Sequence, residues 1–289
     1  MARSTGADRR RGALVGLLLV APPVLIVAGL ILLPAATAAL STLRVGVGDQ
    51  AVFSLANYAT FFSDPQSTSD LLYTIWTTLI TTALLIAACL PLALYLRFAS
   101  GGLAAVVQSI AVFPLFVPAI VVCYALIRYM GPNGLLQTFL ARIGISGYAS
   151  PYLTEWGPVV GLFWEGIPLT LLILLSGLGA VSTSAIEAAR DVGAGPLRIL
   201  FVIVIPLIKR SLLVAFALDV LSIFGAFTTP YLLGPAAPEM LGVLMQRTFW
   251  QVRDTVQAET QAVISFAICA AVGILYVRAI ARSRRVSAS

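Results

Sequence analysis

"SAIEAARDVGAGPLRILFVIVIP", residues 184–206, decides how the rest of this chain is read. It lies between two long apolar runs, yet it carries Glu187, Arg190, Asp191 and Arg198 and reads as a short helix with marked ends. Ser184-Ala185-Ile186-Glu187 has the S-x-x-E form of a capping box, in which the Ser184 hydroxyl accepts from the Glu187 amide and the glutamate reaches back to the Ser184 amide. Negative charge in a first turn also suits the helix dipole. Gly193 can take up the left-handed conformation that closes a helix, and Gly195-Pro196 prevents a simple continuation. The spacing predicts about two turns, at 3.6 residues per turn. Ala188 and Ala189 lack bulk, so a second surface can approach closely. A loop that merely joins two spans needs no such construction, although a connector lying on the membrane surface is the plain alternative, since caps alone are common.

The surroundings of this stretch are those of a membrane. Of 289 residues, 60% are hydrophobic and 10% charged, and the mean hydropathy is +0.99. Soluble domains carry roughly a quarter charged residues. Apolar runs long enough for the ~20 residues that cross a bilayer core cover Ala13–Leu40, Leu71–Leu96, Ala104–Met130, Pro158–Val181, Ser211–Gly234 and Thr260–Ile280. Their hydrophobicity is unbroken, whereas barrel strands alternate over about ten residues. The expectation is an all-α membrane protein of about six spans. It divides into residues 1–70 (N-terminus, first span and external loop), a transmembrane domain over 71–280 and a tail over 281–289. The start resembles a secretory signal, with Ala36-Thr37-Ala38 as a cleavage site, but its apolar run exceeds the usual ~7–15-residue core and favours an uncleaved span.

With about six spans both termini share one side. That side holds thirteen basic residues: Arg3, Arg9, Arg10, Arg11, Arg97, Arg190, Arg198, Lys209, Arg210, Arg278, Arg282, Arg284 and Arg285. The other holds five: Arg44, Arg128, Arg142, Arg247 and Arg253. Positive flanks favour the cytoplasm, so the termini and the quoted loop are expected there. This asymmetry accounts for the net charge of +6 without a nucleic-acid partner.

Enzyme chemistry has little to work with. The chain has no histidine, so histidine-activated nucleophiles and histidine metal ligands are excluded. The single lysine, Lys209, follows Pro206-Leu207-Ile208, which is no phosphate-cradling loop. Asp219 is the only aspartate within these runs and has no partner for an intramembrane dyad. Cys89, Cys123 and Cys269 lack metal or redox spacing and read as small core hydrophobes. No catalytic residue, metal site or resident cofactor is expected, and any ATP must be bound by another chain.

The quoted stretch resembles the cytoplasmic signature of the permease subunits of type I binding-protein-dependent ABC importers: E-A-A, three residues, Gly, nine residues, Ile, one residue, Leu, Pro. Glu187, Ala188, Ala189, Gly193, Ile203 and Pro206 match it, and Ile205 replaces the usual leucine. The preceding "FWEGIPLTLLILLSGLGAVSTSAIEAARDVGA" is similar as well, and the likeness covers roughly residues 70–280. The resemblance implies a permease that is itself non-catalytic. It would pair with a second permease subunit, insert its loop helix into a groove on a dimer of ATP-binding subunits, and receive substrate from an extracytoplasmic binding protein. "FGAFTTPYLLGP", residues 224–235, resembles the fifth-span ending of spermidine/putrescine permeases, and the Thr-Gly-Gly-Gly-Pro ending of sugar permeases is missing. Ferric iron and aminoethylphosphonate permeases are related alternatives. A secondary transporter or channel, working alone, is the alternative from another class.

Further residues mark a possible pathway. A carboxylate inside a span costs at least ~2.5 kcal/mol on insertion scales, so Asp219 is a functional residue by default; its structural alternative is a hydrogen bond to a neighbouring Ser or Thr. Trp164 and Glu165 lie toward the outer part of the fourth span. Phe224, Phe227 and Tyr231 follow Asp219 outward, as gate residues or as an interfacial aromatic belt. Two carboxylates beside aromatic rings suit an organic cation.

Overall fold

The structure, a computed structural model, describes residues 6–46, 52–99 and 101–286. Arg3 and residues 287–289 lie outside the described residues. In chain order the helices are α1 (Gly6–Val27), α2 (Leu33–Ser41), α3 (Ala56–Ser63), α4 (Pro65–Phe98), α5 (Gly102–Val112), α6 (Ala119–Met130), α7 (Leu135–Arg142), α8 (Trp156–Leu178), α9 (Thr183–Asp191), α10 (Pro196–Ile199), α11 (Ile205–Phe224), α12 (Thr228–Leu233), α13 (Leu241–Arg247) and α14 (Thr255–Val286). A short antiparallel pair, β1 (Arg44–Val45) and β2 (Val52–Phe53), sets Arg44 opposite Phe53. Among the described residues, six helical segments are long and apolar enough to cross a membrane. The fold is all-α and multi-pass, as the apolar runs predict.

The core is the packing of α4, α8 and α11 against one another. Small residues permit it, as bilayer packing requires, since lipid tails are as apolar as leucine and only close approach distinguishes the helix contact. A Cβ at Gly177 of α8 would collide with Ser211 of α11, and one at Gly166 would meet Leu85 of α4. On the α4 side, Thr74, Thr77, Thr78, Thr81 and Thr82 are all buried. Toward the α9 end, Cys89, Leu171, Leu174, Leu178, Val181, Ile208 and Ala215 close one apolar cluster.

The opposite end is fixed by hydrogen bonds. Asp64 caps α4, accepting from the Ser67 amide at 2.9 Å and the Ser67 hydroxyl at 2.5 Å. The hydroxyl bond foremost holds its carboxyl below the usual range. Pro65 follows at the first helical position, where its missing N–H costs nothing. Buried Asp70 accepts from the Gln66 side chain and the Glu239 amide, both at 2.9 Å, and Thr74 Oγ1 accepts from the Leu241 amide at 2.8 Å. These bonds clamp the segment between α12 and α13 onto α4, and Arg247 pairs with Glu239 above it. The first span is exposed at Leu18, Leu25 and Leu30. Its end is tied to the bundle where Ser41 donates to Glu259 and where the Thr42 and Tyr58 hydroxyls meet at 2.7 Å.

Two apolar runs are less continuous than their composition suggests. The run Ala104–Met130 divides into α5 and α6, joined by one 3₁₀ turn at Phe113–Phe116, because Pro114 and Pro118 lack the amides that a single helix needs. By length and composition alone the third crossing could be drawn over Ala119–Arg142. Packing decides otherwise: Met130 sits with Tyr152 and Val160, near the start of α8, and Ala111 sits with Leu174 and Leu178, near its end. The crossing is therefore α5 plus α6. The fifth run likewise ends as a helix at Phe224, and its remainder refolds as the short α12.

Candidate functional site

Two groups of residues carry the candidate site: the loop helix α9 and a polar cluster inside the bundle. At α9 the chain leaves α8 under restraint. Arg97, at the end of α4, donates from Nε to the Leu178 carbonyl at 3.2 Å and from Nη2 to the Val181 carbonyl at 3.3 Å. Val181 is fully buried, so Ser182 is the first residue free to turn. It adopts extended backbone (φ −74, ψ 138), and its Oγ accepts from the Ala185 amide at 3.3 Å. The sequence-level capping box is thereby corrected. Ser184 stands inside the first turn and donates to Ser182 Oγ at 3.4 Å, while Glu187 is exposed in the next turn. Arg97 and Ser182 are the residues that the sequence reading missed. A lone arginine ending a span and a serine two places before the expected cap were the available signals.

The other end of α9 is as expected. Gly193 has φ +79, its amide donates to the Arg190 carbonyl at 2.8 Å, and the Ala194 amide reaches back to the Ala189 carbonyl at 2.9 Å. This pair of bonds is the Schellman closure, which needs a left-handed residue at the Gly193 position. Ala188 is exposed, but Ala189 packs inward beside Ala194 and buried Ile186. Beneath the helix lies a cavity of about 530 Å³, lined by Leu94, Phe98, Ile186, Glu187 and Arg190. Val192 and Leu197 project from the loop, 84% and 70% exposed. Ile203 lies in a single π turn, and Pro206 opens the first turn of α11.

Within the bundle, Glu165 is half-buried on α8 and accepts from the Thr229 hydroxyl at 2.5 Å. Thr229 Oγ1 in turn accepts from Cys123 Sγ at 3.5 Å, which joins α6, α8 and α12. Trp164 is half-buried beside it. Phe227 and Tyr231 are exposed and stacked on each other, centroids 5.4 Å apart. The remaining two pathway residues are not there. Asp219 is 2% exposed, with both carboxylate oxygens, at 2.9 and 3.0 Å, accepting from the Thr170 hydroxyl. Phe224 is buried among Phe61, Leu241, Leu244 and Ile264. Helical phase explains the difference, because Ala215, Asp219 and Ile223, spaced by four, are all buried on the stripe of α11 that faces the core. Among the described residues, no group of three or more His, Cys, Asp and Glu could hold a metal ion.

The bundle thus hangs a closed, capped helix between two of its spans. The family model of the inner membrane component of binding-protein-dependent transport systems matches residues 89–285. The chain belongs to that family. It is a permease of the type I ABC importers, similar to the spermidine/putrescine group. The spermidine/putrescine transport system permease protein PotB of Escherichia coli (strain K12) is 26% identical over 206 residues, covering 70% of this chain and 74% of that protein. The sulfoquinovosyl glycerol transport system permease protein SmoG of Agrobacterium fabrum (strain C58 / ATCC 33970) is 25% identical over 287 residues, covering 92% and 90%. Among solved structures, a chain of a bacterial alginate ABC transporter in complex with its alginate-bound periplasmic protein superposes with a TM-score of 0.79 at 17% identity, over 98% of both chains. That likeness speaks for the fold.

Proposed function

We propose that this permease carries a polyamine, spermidine or putrescine, across the membrane as the non-catalytic subunit of an ATP-driven importer. The observation that carries the solute is Glu165: a half-buried carboxylate held by Thr229, which stands in the chain between Phe227 and Tyr231, an exposed stacked pair. A carboxylate and aromatic faces are what a passing ammonium group recognises. Similarity to PotB supports the same solute. α9 serves as the coupling helix: ATP-driven closure of an ATP-binding dimer would push a short closed helix as one body, and Arg97 would pass the displacement to α4. A second permease and an extracytoplasmic binding protein complete the assembly. Residues 71–280 form the permease domain, with 1–70 and 281–289 as its flanks. Uptake of labelled spermidine and putrescine, in cells with and without this subunit, tests the solute. Loss of uptake in the deletion strain is expected. Unchanged uptake, with a binding protein that retains neither amine, would reject the polyamine. The likeness to SmoG over nearly the whole chain favours a second reading, another small organic solute.

The orientation proposed with this function places both termini and α9 in the cytoplasm, because the basic flanks lie there. In a background without Cys89, Cys123 and Cys269, an impermeant thiol reagent is expected to label Gly147→Cys in intact cells and Arg198→Cys only after the membrane is opened. Labelling of the second variant from outside would reverse the topology.

A further inference from the structure

The third crossing is broken where a membrane helix can least tolerate it. Cys123 of α6 lies level with Glu165 of α8 through Thr229, and Ala111 of α5 lies level with Leu174. The break between them, Phe113–Pro118, therefore stands opposite the middle of α8, against which its 3₁₀ turn packs. Within it the Val117 amide bonds to the Pro114 carbonyl, and the Val121 and Val122 amides bond to the Pro118 carbonyl. Pro118 has no amide to give. The carbonyls of Leu115, Phe116 and Val117 receive no backbone hydrogen bond from a described residue. Nor is the segment buried in this chain: Leu115 is 60% exposed and Phe116 78%. Hydrocarbon cannot satisfy such groups, and irregular backbone at this depth occurs only inside protein or along a water-filled cavity.

We infer that the break faces the aqueous passage between this permease and its companion, and that the three carbonyls form an acceptor row there for a positively charged solute. Carbonyl oxygens in series replace part of a cation's hydration shell. The row would give an ammonium group a second resting place, about level with the middle of the membrane, beyond Glu165. This inference rests on the permease fold for its place in the passage and on the cationic solute only for its use. The first amides of α6, at Ala119 and Ile120, make no backbone hydrogen bond to a described residue either; they would favour an anion, and a pair of oppositely charged reagents separates the two signs.

The test uses the full importer in membranes, with a permease lacking the three native cysteines and carrying Leu115→Cys or Phe116→Cys. Two impermeant methanethiosulfonate reagents are compared, one bearing a quaternary ammonium and one a sulfonate. Leu79→Cys and Phe266→Cys, exposed mid-helix positions far from any proline, report lipid or protein contact. Both break positions are expected to react at least about tenfold faster than these controls, because only water ionises the thiol and admits the reagent. Equal slowness would overturn the placement. Normalised to the same pair of reagents at Gly147→Cys, the ammonium reagent is expected to be favoured at residues 115 and 116; preference for the sulfonate would overturn the acceptor row. Neither outcome depends on which amine is transported, so failure here and failure of the polyamine reading are distinguishable. Pro118→Ala supplies the missing amide and is expected to slow labelling at both positions, whereas unchanged labelling would show that the proline does not hold the break open.

Discussion

Gly193→Val is expected to abolish most of the ATP hydrolysis that a loaded binding protein stimulates, while the permease still inserts and assembles. The argument is purely one of backbone. Gly193 has φ +79, and a side chain built there meets nothing within 4 Å, so valine causes no clash. It does place a β-branched residue in the left-handed region, which costs a non-glycine residue roughly 1–2 kcal/mol, or more with branching. The chain can relieve that cost by giving up the closure formed by the Gly193 and Ala194 amides, and the exposed end of α9 then frays. Since about 1.4 kcal/mol corresponds to tenfold in a population, stimulated hydrolysis should fall by about that factor or more. Ser182→Ala removes the N-cap bond, typically worth about 1 kcal/mol, and should give a milder loss. Gly195→Ala is the control: at φ −69, with open space around it, alanine is expected to be silent. Glu187→Ala should not unfold the helix, because Glu187 does not cap it. Full stimulation by the Gly193→Val permease would remove α9 from the coupling path.

What was legible in the sequence follows from how local each signal is. The spans were legible because bilayer thickness translates directly into run length. The Gly193 closure was legible because a positive φ is demanded by a few neighbouring residues. The N-cap falls at Ser182 and not at Ser184 for a reason outside its own stretch: Arg97, on another helix, fixes the carbonyls of Leu178 and Val181 and thereby sets which serine turns first. The division of the third crossing could have been read from Pro114 and Pro118, but composition alone joined its halves. Asp219 and Phe224 show the opposite failing. Their depth in the membrane was evident, yet the face each occupies depends on what α11 packs against, α8 at Asp219 and α3, α13 and α14 at Phe224, and hydrophobic patterning cannot report it when every face of a helix is apolar.

The same distinction between faces separates two carboxylates that look alike in the sequence. Glu165→Gln keeps the size of the side chain and still allows an oxygen to accept from the Thr229 hydroxyl, now held at 2.5 Å. It removes only the charge offered to a solute. A hydrogen bond to a charged group contributes about 1.5–3 kcal/mol, which at about 1.4 kcal/mol per decade corresponds to roughly a tenfold to hundredfold loss. Spermidine uptake by the Glu165→Gln importer should therefore fall within that range, with solute-stimulated ATP hydrolysis falling less, because α9 and its closure are untouched. Glu165→Asp retains the charge on a shorter arm and should recover part of the uptake. Asp219→Asn is the necessary contrast. Asp219 is buried and occupied by Thr170, so neutralising it leaves the pathway unchanged, and uptake should stay within a few-fold of the parent, on the ~1 kcal/mol scale of one hydrogen bond. If uptake survives Glu165→Gln but collapses in Asp219→Asn, the cation is not read at Glu165, and the buried α8–α11 contact, as the element that moves, would take its place.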